Sequence, residues 1–153
     1  MISKPKQTYD IAHITTYQAG VLQASVNRRL QKISDGILEP FGISKTQWLI
    51  IGTVLDAGKK GIRISELAEQ VSTTLPYLTN TINLLESKKM LSRKTDEEDS
   101  RSKYVTVNPK FIPITKEIET ELRNGLRQAV YRHVDPSEFQ IYVKVLFKLE
   151  SID

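Results

Sequence analysis

Apolar residues recur at steps of three and four over the first quarter of the chain: Ile11, Ile14, Tyr17, Val21, Leu22, Val26, Leu30, Ile33 and Ile37. This spacing predicts one long amphipathic helix. Pro40 and Gly42 break it. Ser44 followed by Gln47 reads as a capping box that opens a helix apolar on nearly every side, "SKTQWLIIGTVLDAG", which Gly58 ends. The middle of the chain changes texture. "GIRIS" is short and β-branched, and "SELAEQV" is a short helix with Ser65 as its expected N-cap. After the turn "STT", a second helix is predicted from about Thr74 to Lys89, with Thr74 as N-cap and Pro76 in the first turn. "MLSRKT" and "SKYVTV" alternate as strands, and the acidic run between them makes the turn of a β-hairpin. The last third is helical again. One stripe runs Phe111, Ile118, Leu122, Leu126, Ala129, Val130 and Val134. A compact helix start at Asp135-Pro136-Ser137-Glu138 leads into Phe139, Val143, Leu146 and Phe147.

The order short helix, turn, helix, hairpin is that of a winged helix-turn-helix. The fold class expected is therefore mainly α with a small β-hairpin wing. It is one domain over 1–153, with a winged helix-turn-helix lobe over about 44–108 and flanking helices over about 8–38 and 109–150.

Composition changes this picture little. A net charge of +4, from 22 basic and 18 acidic residues in 153, permits an anionic partner without requiring one. The absence of cysteine excludes thiol nucleophiles, thiolate metal sites and disulfides. His13 and His133 lie far apart with no ligand cluster near either, so no metal and no cofactor is expected. No Gly-rich phosphate loop and no nucleophile–base spacing points to an enzyme. With no apolar run near the ~20 residues of a membrane span and no signal-peptide h-region, the expected location is cytoplasmic.

The second helix of the lobe carries the functional argument. Leu78, Ile82 and Leu85, with Leu75 one turn earlier, form its expected inward face. The opposite face is Pro76, Asn80, Asn83 and Ser87, flanked by Thr73, Tyr77 and Thr79. Solvated helix faces favour Glu, Lys, Arg and Gln, which form helix better than Asn or Thr. Asn can bridge adenine N6 and N7 in a major groove, and Thr or Tyr can reach phosphates or a thymine methyl. A poorly optimised surface helix is the plainer account of the same face. Lys88, Lys89, Arg93 and Lys94 follow this helix, and Arg101 and Lys103 lie past the hairpin tip, where they can meet phosphates. Asp96-Glu97-Glu98-Asp99 interrupts these cations. The expectation is that Asp99 orients the Arg101 guanidinium through a charge-assisted pair while others balance Arg93 and Lys94. A solvated hairpin tip is the plainer alternative.

The stretch "ISELAEQVSTTLPYLTNTINLLESKKMLSRKTDEEDSRS" resembles the DNA-binding core of the MarR family of bacterial winged-helix regulators. "LAEQV", "LLESKKML", Arg93 and the wing pair Asp99-x-Arg101 carry the resemblance. It implies a homodimeric repressor on a palindromic duplex-DNA operator, with the terminal helices as the dimer interface. It puts Thr74 through Asn83 in the major groove and Arg101 in the minor groove. It also implies a small-molecule effector pocket between the dimer helices and the lobe, where His13, Tyr17, Gln47 and Trp48 are the candidate lining. Three departures stand out. Lys89 occupies a position where the family commonly has Gly and a left-handed backbone is expected. The basic residue usual near Asn80 is missing. Pro113 falls where the closing helix would begin and is expected to delay its start. A winged-helix protein-interaction module without DNA binding is the competing reading.

Overall fold

The computed structural model describes residues 9–96, 99, 101 and 103–152. Glu97 and Glu98 of the acidic run lie outside the described residues. The periodic N-terminal stripe does not form one helix from its first residue. Asp10 caps a 3-10 turn, Ile11–His13, and α1 then runs Thr16–Leu38. Thr15 accepts the Gln18 amide at 3.2 Å and Gln18 reaches back at 3.0 Å, a capping box that sets the helix start five residues after Ile11.

The second capping box is where the sequence puts it. Ser44 and Gln47 open α2, Lys45–Asp56, which buries Trp48, Ile50, Ile51 and Val54. Asp35 of α1 accepts the Lys45 amide at 2.6 Å, so α1 and the start of α2 are joined by a charge-assisted hydrogen bond.

"GIRIS" becomes a strand, β1 (Ile62–Arg63), that runs directly into α3 (Ile64–Gln70). Arg63, still extended, is therefore the N-cap, and Ser65 lies inside the first turn. The wing is accordingly a three-stranded antiparallel sheet in the order β1-β3-β2, with β2 at Leu91–Thr95 and β3 at Lys103–Val107, and not a bare hairpin. Gly61 makes that edge pairing possible. At its φ of 81°, a Cβ would sit 2.5 Å from the Val105 carbonyl oxygen.

α4, Leu75–Ser87, follows α3 across a tight turn. Both helices end in the same way. After α3, the Ser72 amide bonds to Glu69 and the Thr73 amide to Ala68. After α4, the Lys89 amide bonds to Glu86 and the Met90 amide to Leu85. This is the paired bonding of a Schellman stop, and it needs a left-handed residue at its centre. Ser72 and Lys89 supply it at φ 51° and 58°. The left-handed backbone expected at Lys89 is thus present, on a residue that adopts it at a cost. Lys89→Gly is expected to stabilise the protein by about 0.5–1 kcal/mol, the relieved strain exceeding the added unfolded-state freedom. Denaturant melts of the two chains check this by their midpoints.

The core joins α2, α3, α4 and the inner face of the sheet, with Ile50, Ile51, Val54, Leu67, Leu78, Ile82, Leu85 and Val105 fully buried. α5, Ile112–Ala129, caps it with Ile118 and Leu122. α5 begins before Pro113, not after it, because a proline in the first turn lacks only an N–H that has no helical partner. Asp135 caps α6, Pro136–Glu150, in a capping box with Glu138. Hydrogen bonds from Ser137 hold the Asp135 carboxyl below its ordinary pKa. α6 buries no residue at all, and the N-terminal half of α1 buries none either.

Candidate nucleic-acid interface

α4 presents two chemically separate sides. Leu78, Ile82 and Leu85 are fully buried, joined by Thr81, whose hydroxyl donates to the Tyr77 carbonyl. Leu75 does not extend this face; it is half exposed in the first turn. Pro76, Tyr77, Thr79, Asn80, Asn83 and Ser87 are exposed, and Thr73 is half-buried in the preceding turn. The Thr74 hydroxyl accepts the Tyr77 amide at 3.4 Å and so serves as the cap. Among the described residues, the side chains of Thr79, Asn80 and Asn83 have no hydrogen-bond partner, leaving their donors and acceptors free toward solvent.

The cations around this helix are more committed than their exposure suggests. Glu86 accepts both the Arg93 amide at 2.9 Å and its guanidinium at 2.7 Å. Arg93 thus ties the base of the wing to the last turn of α4, and its acidic partner comes from the helix, not from the acidic run. Lys88 donates to the Gly42 carbonyl and Lys103 to the Thr95 hydroxyl. Arg101 is exposed. Asp99 meets it at the main chain, accepting its amide at 3.0 Å, and the Arg101 guanidinium has no partner among the described residues. The acidic residue fixes the turn that carries the arginine and leaves the guanidinium open.

Two residues outside the expected set, Arg63 and Tyr104, complete the wing. Arg63 of β1 stands opposite Tyr104 of β3 in register. Its Nε donates to the Tyr104 hydroxyl at 3.0 Å, and its guanidinium carbon lies 5.5 Å from the ring centroid. The hydrogen bond to Tyr104 is the main cause raising the Arg63 pKa above its ordinary value. Asp96 adds an ion pair at 3.6 Å. The available signal was the β-branched "GIRIS", which becomes a strand only once β3 is known to need a second neighbour.

The four candidate effector residues are not gathered into one cavity within the chain. Trp48 lines an open cleft of about 540 Å³ between α2 and α5, with Gly52, Thr53, Thr115 and Glu119. The Gln47 side chain is used in its capping box. Tyr17 is 77 % exposed on α1, and His13 is paired with Asp10 at 2.7 Å.

A short helix and a longer one across a left-handed turn, followed by a three-stranded wing, define a winged helix-turn-helix. Residues 43–103 match the model of the MarR family. Solved structures repeat the fold over nearly the whole chain. AbsC, a MarR family transcriptional regulator from Streptomyces coelicolor, is 19 % identical with a TM-score of 0.75, covering 90 % of this chain and 94 % of its own. The S. aureus MepR–DNA complex is 21 % identical with a TM-score of 0.74, covering 92 % and 100 %. A mutant MarR from E. coli complexed with operator DNA is 22 % identical with a TM-score of 0.76, covering 85 % and 91 %. Among the described residues, no helix is long and apolar enough to cross a membrane.

Proposed function

We propose that this chain is a sequence-specific duplex-DNA-binding repressor that acts as a homodimer on a palindromic operator. The observation that carries the reading is the exposed face of α4. It offers amides and hydroxyls with no partner among the described residues, on a helix whose other face is locked into the core. Such groups are suited to base edges, which need directed donors and acceptors at the bottom of a groove. The wing supplies cations for the backbone on either side, with the exposed Arg101 guanidinium, which has no partner among the described residues, suited to a narrow minor groove. Solved relatives of the same fold are held on DNA, one of them on its operator. α6 and the first half of α1 would supply the dimer contact, which sets two recognition helices on one face of the duplex.

One observation favours a protein-interaction module instead. Lys88, Arg93 and Lys103 already have partners within the chain, so the wing is less basic in effect than in sequence. Salt dependence separates the two readings. With Lys89, Lys94 and Arg101 open on each protomer, a dimer neutralising on the order of six phosphates loses about 10³ in affinity between about 50 and 200 mM salt. A fluorescence-anisotropy titration measures this, and a flat response assigns the surface to a protein partner.

A further inference from the structure

Arg63, Arg101 and Lys103 converge on a small notch of about 250 Å³ at the tip end of the wing beside the start of α3, which Ile64 and Ser65 complete. Two of these cations belong to the wing strands and one to its tip turn, and Arg63 leads straight into α3. The notch therefore sits between the tip end of the hairpin and the start of α3. Its cationic lining suits a phosphate group.

Arg63 differs from the other cations around it in being immobilised. The Tyr104 hydroxyl takes its Nε–H at 3.0 Å, the Tyr104 ring lies against the guanidinium, and Asp96 draws on Nη2 from 3.6 Å. A guanidinium carries five N–H donors. Those on Nη1 have no partner among the described residues, and the Arg63 side chain remains 46 % exposed. The carboxylates that bear on Arg63 are Asp96 and, at longer range, Glu66. Against them stand three cations. A pre-oriented arginine loses little side-chain freedom on meeting an oxyanion, and its planar fork matches two phosphate oxygens at once.

We infer that this notch is a phosphodiester clamp, in which Arg63, positioned by Tyr104, grips one backbone phosphate of the duplex beside the site of Arg101. The inference rests on the DNA-binding reading and adds to it a contact from β1. Tyr104 is a positioning residue: it does not touch the phosphate but fixes the arginine that does. Asp96 holds the guanidinium in place while the notch is empty and yields Nη2 as the phosphate arrives. The clamp ties the wing to the start of α3, so that phosphate binding sets the wing's angle as well as adding affinity.

The test uses the full chain and a mixed-sequence duplex, because a phosphate contact carries no base information. Arg63→Ala is expected to weaken binding about tenfold and to reduce the salt slope by about 0.9 per protomer, the loss of one phosphate contact. Arg63→Lys keeps the charge without the fork, and is expected to keep the slope while losing part of the affinity. Tyr104→Phe keeps the ring and removes only the hydroxyl. It is expected to weaken binding about threefold at an unchanged slope, because the charge remains but its orientation is lost. This variant also reads the clamp if Arg63→Ala lowers the thermal midpoint. Inorganic phosphate alone is titrated against the Arg63 Nε–H resonance of the wild type. Saturation at a concentration comparable to that of the duplex makes the notch a free-anion site and overturns the clamp. An unchanged slope in Arg63→Ala, with the wild type binding normally, overturns the clamp and leaves the DNA-binding reading standing. A wild type that binds no duplex overturns both.

Discussion

A chain carrying Leu146→Asp is expected to run as a monomer at micromolar concentrations where the wild type is a dimer, and to lose duplex binding with it. The reason lies in what the fold leaves uncovered. α6 buries nothing, yet it carries Ile141, Tyr142, Val145, Leu146, Phe147 and Leu149, all exposed. α1 exposes Tyr17, Val21, Leu22 and Val26 beside it. Leu22, Val26, Leu30, Tyr142 and Leu146 line an open groove of about 640 Å³ between the two helices. Apolar surface of this extent is not tolerated on a soluble monomer. A second copy is the partner proposed, because a two-fold axis presents the same apolar face to itself. By that symmetry one substitution puts two carboxylates into the interface. At even about 1.5 kcal/mol each, the dimer constant weakens by more than about a hundredfold. Sedimentation equilibrium measures the shift, and a variant that stays dimeric assigns the groove to another partner. Far-ultraviolet circular dichroism of the same samples checks that the lobe remains folded, as its core contains no α6 residue.

The second large effect separates base readout from backbone grip. Asn80→Ala or Asn83→Ala is expected to cost about 1–3 kcal/mol on the preferred duplex and almost nothing on random DNA. Arg101→Ala is expected to weaken both, because an arginine in the minor groove reads width and potential more than base identity. Asp99→Asn is expected to do less. It keeps an oxygen for the Arg101 amide and alters the turn without removing the cation. The quantity to measure is the affinity ratio between preferred and random duplexes. Should both Asn variants keep the wild-type ratio while Arg101→Ala abolishes it, specificity comes from the wing and from DNA shape, and not from α4.

Local chemistry was the most legible part of the sequence. The capping boxes at Ser44 and Asp135 and the cap at Thr74 appear where their side chains predict them, because each is decided within four residues. The inward face Leu78, Ile82 and Leu85 follows from helical spacing alone. The errors share a cause, which is that a partner distant in sequence decided the outcome. Ser65 is a good cap by type, but pairing of Ile62 and Arg63 with β3 moves the helix start to Ile64. Ile11 continues the periodic pattern, but the capping box at Thr15 sets a later start. Leu75 has the right residue type for the core, but it sits in the first turn, before α4 reaches the other helices. The cations of the site were found by type, and their partners were not. Nothing in "ESKKMLSR" states that the chain reverses after Lys89 and brings Arg93 back onto Glu86. Arg63 and Tyr104 stand 41 residues apart and become a pair only through sheet register. By sequence alone the acidic run is a counterweight to the cations it adjoins. In the structure Asp96 serves Arg63, and Asp99 serves a main-chain amide.

The most direct test of the central claim is selection of duplexes from a random pool by the purified wild-type protein. The account predicts enrichment of one inverted repeat, with half-sites about one helical turn apart as two α4 helices on a two-fold axis require. A pool that stays random after repeated rounds, with the protein folded and dimeric throughout, contradicts it.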